Sequence, residues 1–242
     1  MVASEAITLE YKMKKGEMLQ YKANVSLHQQ LKEEGEMKEE QEVNTLLDML
    51  MVQKVTEISG KQYDIDVTIE SGSVKRNGEQ EDLPNVGQTV SVRMNKDGKI
   101  TKTSVDFPFE QPPFPSKPVK LGESWKSDSK LSIPGKPEPF TLTYEYTLKD
   151  FAKVHGYDCA EIGVKCPETL IPLEGDMRQK LVAGGNTYFA HREGKLIKSE
   201  VETRTEVSAE NTVVITNTKV KVELLELAGP TPTAPDEGYI VS

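Results

Sequence analysis

Apolar and polar residues alternate along several long stretches of this chain. From Leu19 to Leu27 every second position is apolar, and the positions between them are polar. Residues 219–224 alternate in the same way, with valine and leucine set against lysine and glutamate. Successive side chains of a strand point to opposite faces of a sheet. This period of two therefore predicts β-strands with one buried and one solvated face.

A short turn sequence occurs twice. Residues 95–102 read NKDGKITK and residues 191–198 read HREGKLIK, each with an acidic residue and a glycine before an alternating segment. An acidic–glycine pair in this setting is typical of a hairpin turn. An earlier pair of glycines has the same spacing, since 194 − 98 = 96 and 156 − 60 = 96. The pattern predicts an all-β protein made by tandem duplication of one antiparallel meander.

The duplication also predicts how the chain is divided. Residues 1–106 form the first β repeat, 107–118 a connector, 119–227 the second β repeat, and 228–242 a low-complexity tail rich in proline and threonine. The opening turns of the two repeats are separated by 122 − 16 = 106 positions, ten more than the later turns. We assign the additional residues to the highly charged segment 32–42, which we interpret as a long, solvated hairpin tip.

Residues 43–58 are rich in leucine and methionine, which suit a helix as well as a strand. Aligned at the offset of 96 they match residues 140–148, which alternate as a strand, so we predict a strand in both repeats. The alignment places three apolar side chains on the buried face: Leu46, Leu50 and Val52. Three more fall on the other face, where the second repeat is polar: Leu47, Met49 and Met51. We expect this second set to be covered by the chain itself, by another subunit or by an apolar ligand.

The connector combines five prolines with three phenylalanines, Phe107, Phe109 and Phe114. Proline excludes this segment from a central strand and favours stiff, extended chain. A solvated linker has no use for three phenylalanines, so we expect the connector to lie along the protein, with its rings filling the core or covering the apolar face. Phe109 and Phe114 therefore join Leu47, Met49 and Met51 as the candidate face for a ligand or a partner.

Composition narrows the possible partners. Hydrophobic residues make up 36% of the chain, the mean hydropathy is −0.52 and the formal net charge is −9. An acidic chain without a basic stripe is a poor candidate for binding nucleic acid or an anionic membrane surface. No apolar run is long enough to predict a transmembrane segment. The first residues do not read as a secretory signal, so the protein either stays in the cytoplasm or has had a leader removed.

The sequence contains no recognisable catalytic constellation. Cys159 and Cys166 lie in one predicted strand, where seven extended residues span roughly 23 Å, far beyond the roughly 7 Å that a disulfide bridges. We predict two buried free thiols. The three histidines, His28, His155 and His191, belong to no nucleophile or metal motif. The sequence therefore predicts no metal site, no cofactor and a function that is not enzymatic.

The openings of the two repeats carry a family resemblance. Residues 11–17 read YKMKKGE and residues 117–125 read KPVKLGESW, each ahead of a long β meander. In these features the chain resembles a group of uncharacterised bacterial exported proteins and lipoproteins with duplicated meanders. More remotely, it is similar to the lipoprotein-localisation carrier fold. The resemblance implies strongly twisted, curled antiparallel sheets that form open half-barrels, each with an apolar concave face. It also implies an exported location, in the periplasm or at the cell surface, after removal of a leader.

Two functional hypotheses follow. The first is an exported, non-enzymatic protein that binds an apolar ligand, a lipid or an acyl chain, in its curled sheets. The second is a structural or protein-interaction module that uses the apolar sheet face of Leu47, Met49 and Met51 to pair with another subunit or partner.

Overall fold

The computed structural model describes residues 6–33, 41–104, 111–131, 133, 138–173, 177–209 and 212–228. Within these ranges the chain forms twelve β-strands and no helix, which confirms the predicted all-β class. The strands are β1 (Met18–Glu33), β2 (Gln41–Ser59), β3 (Gln62–Arg76), β4 (Glu79–Asp82), β5 (Thr89–Asn95), β6 (Ile100–Thr103), β7 (Ser124–Leu131), β8 (Phe140–Val154), β9 (Tyr157–Pro172), β10 (Arg178–Ala190), β11 (Lys195–Ala209) and β12 (Thr212–Ala228).

All twelve strands belong to one antiparallel sheet. Their order is β6-β5-β3-β2-β1-β12-β11-β10-β9-β8-β7, and β4 pairs with β3 outside this path. The first strand of the first repeat therefore pairs with the last strand of the second repeat, in a ladder that runs from Met18↔Ala228 to Glu33↔Thr212. The two meanders are fused at the centre of a continuous sheet, and its two edges, β6 and β7, come from the middle of the chain.

The opening turns of the two repeats share their hydrogen bonds. The Gly16 amide donates to the Val55 carbonyl at 2.8 Å, and the Gly122 amide donates to the Leu148 carbonyl at 2.7 Å. Both glycines have positive φ, 79° and 82°, which favours residues without a Cβ. The glutamate after each glycine accepts from the amide three residues earlier at 2.9 Å: Glu17 from Lys14, and Glu123 from Lys120. The two opening turns therefore share their backbone conformation and their hydrogen bonds.

The sheet curls until its two ends come close together. The Trp125 indole on β7 donates to the Pro113 carbonyl at 2.9 Å. The next residue, Phe114, donates through its amide to the Asp97 carbonyl in the β5–β6 turn at 2.6 Å. In a flat sheet of this strand order, ten spacings of about 4.8 Å would hold β6 and β7 roughly 48 Å apart. Two adjacent residues bridge them here, so the sheet is strongly curled although it does not close into a barrel.

Two extended segments cross the inside of this curl, and we call residues 6–13 and 111–119 the straps. They bridge to each other at Ile7↔Val119. The Tyr11 amide donates to the Lys96 carbonyl and the Lys12 amide to the Gly194 carbonyl, so one strap holds the repeated turn of both halves. We call the sheet face beneath the straps the core face, and the opposite face the outer face. The main buried cluster lies between the straps and the core face and draws residues from both repeats.

The connector prediction is confirmed where it can be followed. Phe114 is buried, with its ring centroid 5.2 Å from that of Tyr11 and 4.5 Å from that of Phe189. Phe107 and Phe109 lie outside the described residues. The predicted hairpin tip, residues 32–42, and the tail, residues 228–242, also fall largely outside them.

The predicted strand at residues 43–58 is confirmed, but its faces are the reverse of those predicted. Met49 and Met51 are buried on the core face, whereas Leu46 lies on the outer face and is 49% exposed. Val52, also on the outer face, is buried as predicted. The opening turns show the reason, because Val55 and Leu148 make the same contacts and 148 − 55 = 93. The repeats are thus offset here by 93 rather than 96. An odd difference of three exchanges the two faces of a strand.

Candidate ligand-binding face

A row of uncharged positions, apolar except for one glycine, crosses the core face. Its members are direct cross-strand partners on nine successive strands, from β3 through β2, β1, β12, β11, β10, β9 and β8 to β7. We call this set the apolar row: Val74, Leu47, Val25, Val220, Val201, Gly185, Val164, Tyr146 and Trp125. No position in it carries a charge. Since the partners are far apart in sequence, only the pairing of β1 with β12 brings the two parts of the row together.

The apolar row marks where the straps stop covering the sheet. One step towards the straps, Met49 and Ala23 are fully packed in the main cluster. In the row itself, Leu47, Val25 and Val220 are only half-buried, although they point to the same face. The residues described here therefore leave a band of apolar surface next to the core.

One step further from the straps, threonines appear on the central strands of the core face, whereas β10 and β9 carry Ala183 and Cys166 of a second buried apolar cluster. The next cross-strand row includes Thr45, Leu27, Thr218 and Thr203, all half-buried. Threonine hydroxyls both donate and accept hydrogen bonds, so this threonine row can satisfy a polar group beside the valines. On β2, β1, β12 and β11 the half-buried part of the core face thus combines apolar side chains with threonine hydroxyls.

Gly185 leaves a gap in the apolar row. A Cβ at this position would lie 2.0 Å from the Glu200 carbonyl oxygen and 2.8 Å from the Val201 Cα. The backbones of β10 and β11 approach so closely here that no side chain fits. The gap lies between Val201 on β11 and Val164 on β9, the two cross-strand partners of Gly185.

The β7 end of the row is rigid and aromatic. Trp125 stacks on Tyr146, with ring centroids 5.7 Å apart and an interplanar angle of 14°. The bond from Trp125 to the Pro113 carbonyl holds the indole against the second strap. Such a stacked pair with a satisfied indole N–H keeps its orientation and forms one fixed wall of the site.

The structure separates the sequence-predicted site residues. Leu47 belongs to the apolar row, Met49 lies one row deeper, and Met51 is fully buried by the chain itself. Phe114 is part of the strap core, and Phe109 is outside the described residues. Sequence reasoning missed Val25, Val220, Val201 and Val164. The alternation around Val25 and Val220 is visible in the sequence, but their pairing across the β1–β12 ladder is a long-range fact that no local pattern encodes.

A buried ion pair joins the two halves at the strap end. The Lys195 ammonium lies 2.5 Å from a Glu17 carboxylate oxygen, and the lysine side chain is only 5% exposed. Burial lowers the pKa of Lys195, and the hydrogen bond to Glu17 opposes that shift. Glu17 belongs to the opening turn of the first repeat, and Lys195 is the first residue of β11. The pair therefore fixes the relation between the repeats rather than serving the exposed face.

The thiols and histidines lie apart from one another. Cys159 and Cys166 are free and buried, as predicted, and burial raises the pKa of Cys159 to about 11, which disfavours the reactive thiolate. His28 is on β1, whereas His155 and His191 are in turns. In the described part of the chain, no group of three or more His, Cys, Asp or Glu residues could hold a metal ion.

No helix long and apolar enough to cross a membrane is found among the described residues.

Comparison with known proteins shows a shared fold without a family. No family model matches the chain, and no curated protein matches its sequence. A solved structure of lipovitellin, reported for its lipid–protein interactions, superposes on 92% of this chain with a TM-score of 0.56 and 9% sequence identity. This chain spans 26% of the lipovitellin chain. The chain was also matched to a structure of DynF from the dynemicin biosynthesis pathway of Micromonospora chersina. That match has 6% identity and a TM-score of 0.26, and it covers 93% of this chain and 89% of the DynF chain. The chain thus shares the fold of one part of the lipovitellin structure.

Proposed function

We propose that this chain is a non-enzymatic binding protein that holds an apolar ligand, a lipid or an acyl chain, along the apolar row. The observation that carries the proposal is that Leu47, Val25 and Val220 present half-buried apolar side chains on three neighbouring strands, on a face that the straps leave uncovered. Ligand sites are typically concave and mainly apolar, with a few polar groups that fix orientation. The curl and the threonine row provide both features.

The geometry suggests how such a ligand would lie. Its hydrocarbon part would pack on Val25, Val220 and Val201, and its polar end would reach the hydroxyls of Thr218 and Thr203. Each buried methylene contributes about 0.8 kcal/mol, so a chain of several carbons gains enough to bind without any charged contact. The fold shared with a structure of lipovitellin, where lipid–protein interactions are described, supports the same class of ligand. Export of the protein stays a prediction from the family resemblance.

The test is lipid binding by the full chain with the row made polar. We expect native mass spectrometry of gently purified protein to show lipid adducts, and the delipidated protein to bind a fluorescent fatty acid. In the double variant Val25→Thr and Val220→Thr, each substitution exchanges a methyl for a hydroxyl of similar size. Affinity for the probe should fall roughly tenfold, because two losses of about 0.8 kcal/mol slightly exceed the 1.4 kcal/mol that corresponds to a factor of ten.

The matched control is Leu170→Thr. Leu170 is 62% exposed on β9 and points to the outer face, so this variant should bind the probe like the parent protein. Thermal melting of each variant separates a binding effect from a loss of stability. Absence of lipid from the purified protein together with no probe binding would contradict the proposal. A ligand-free dimer that dissociates in the double variant would favour subunit pairing instead.

A further inference from the structure

The outer face carries a trough that the proposed function does not use. It encloses about 720 Å³ and is lined by five neighbouring strands: β2, β1, β12, β11 and β10. One cross-strand row along its floor reads Asn44, His28, Asn217, Arg204 and Val182. These side chains alternate with core-face positions, so the trough and the apolar row lie on opposite sides of the same strands.

The lining is rich in hydrogen-bonding groups. Asn44, His28 and Asn217 present amides and an imidazole on three adjacent strands, and the Nδ1 of His28 lies 2.8 Å from the Asn44 amide oxygen. This contact positions the ring beside the trough. Neutral donors and acceptors spaced one strand apart suit a small molecule with several hydroxyl groups.

The charged side chains of the trough differ in how closely they are paired with opposite charges. Lys219 lies 2.9 Å from a Glu202 carboxylate oxygen, so those two charges neutralise each other. Arg204 is 3.9 Å from Glu206, which is beyond hydrogen-bond distance, and its side chain is half exposed. A guanidinium in this state retains donors for a carboxylate, which it can bind through two parallel hydrogen bonds.

Gly184 keeps the trough open. A Cβ at this position would meet only the Val164 carbonyl oxygen, at 3.7 Å, which is an ordinary contact. Its neighbour Gly185 is required by the close approach of β11, but no such constraint applies to Gly184. Glycine weakens a strand interior relative to residues with a side chain. A side chain here would project into the trough, which Gly184 lines.

We propose that the outer trough binds a small polyhydroxylated carboxylic acid, of which a uronic acid is the type. Its carboxylate pairs with Arg204, and its hydroxyls bond to Asn217 and His28 on the next two strands. Val182, the cross-strand partner of Arg204, is partly exposed and contacts the carbon-bound hydrogens of the ligand.

The test is an NMR titration of the full ¹⁵N-labelled chain with sodium glucuronate, and with glucose as the uncharged probe at the same ionic strength. The proposal predicts saturable shifts of the amides in residues 26–28, 202–204 and 217–219 with glucuronate, and far weaker ones with glucose. Arg204→Gln should weaken binding about tenfold or more, because a hydrogen bond to a charged group contributes roughly 1.5–3 kcal/mol. Gly184→Val should abolish binding while leaving the melting temperature unchanged or higher, since valine suits a strand.

Arg178→Gln is the matched control, because Arg178 is an exposed arginine at the start of β10 outside the trough. This variant should bind glucuronate like the parent chain, as should the double variant Val25→Thr and Val220→Thr. Equal shifts with glucose and glucuronate, no saturable shift in the three segments, or full binding by Gly184→Val would each overturn the proposal. The double variant distinguishes the two sites, because Val25 and Val220 belong to the apolar row and do not line the trough.

Discussion

The ion pair between Lys195 and Glu17 places two opposite charges in the protein interior. A buried ammonium left without its counter-ion is strongly unfavourable, and breaking a buried pair from one side destabilises proteins by about 3 kcal/mol or more. We therefore expect Glu17→Gln to lower the free energy of unfolding by about 3 kcal/mol in urea denaturation at neutral pH. Glu123→Gln is the control, because Glu123 makes the same turn contact but lies exposed in the second repeat. Equal losses in both variants would show that the turn, not the ion pair, is responsible.

The pH dependence of the same pair can be worked out from its direction. Burial lowers the pKa of Lys195 below its ordinary value of 10.5 in the folded state. Between the lowered and the ordinary value, the unfolded chain binds more protons than the folded one, so this group makes stability rise with pH. The effect should be larger without Glu17, which opposes the shift. We expect the stability difference between Glu17→Gln and Glu123→Gln to narrow as the pH rises from 7 towards about 10, as measured by urea midpoints.

Among the elements, the straps cover the buried cluster on the inside of the curled sheet. Phe114 anchors the second strap between Tyr11 and Phe189, and truncation of such a buried ring destabilises proteins by about 3–5 kcal/mol. Phe114→Ala should lower the urea midpoint by a corresponding amount and leave the strap at residues 111–119 open to limited proteolysis. Phe151→Ala removes an exposed ring on β8 and should change neither measurement. Similar behaviour of the two variants would mean that the strap does not hold the core.

The elements also show what sequence reasoning can and cannot reach. Strands and turns follow from local alternation and from glycines such as Gly98, and the burial of Phe114 follows from its setting among prolines. Which side chains of β2 face the core does not follow from the sequence. The segment from Leu148 to its turn is three residues longer than the segment from Val55 to its turn, so one glycine spacing does not align both strands. In the candidate site, only Leu47 of the apolar row was predicted. The valines of β1 and β12 meet through a pairing that closes the chain's two ends on each other, and no local signal records it.

At the scale of the whole molecule, the two repeats share one core. Met94 on β5 and Phe189 on β10 belong to the same buried cluster, although they come from different repeats. The straps and the Lys195–Glu17 pair join the halves at several further points. A sheet fused at its centre and packed around shared straps should unfold as one unit, although each meander begins with a turn of the same geometry.

Trp125, the only tryptophan, lies in the second repeat and gives a direct test of this cooperativity. Met94→Ala removes a buried side chain from the first repeat and should destabilise the protein by about 2–5 kcal/mol. If the core is shared, the variant lowers the urea midpoint of Trp125 fluorescence as much as that of far-ultraviolet circular dichroism, and the two curves coincide. Val86→Ala, at an exposed site of the same repeat, should move neither curve. A fluorescence midpoint unchanged by Met94→Ala, beside a circular dichroism curve split into two steps, would show that the repeats fold independently. In that case the apolar row, which needs both repeats, would exist only after the halves had docked.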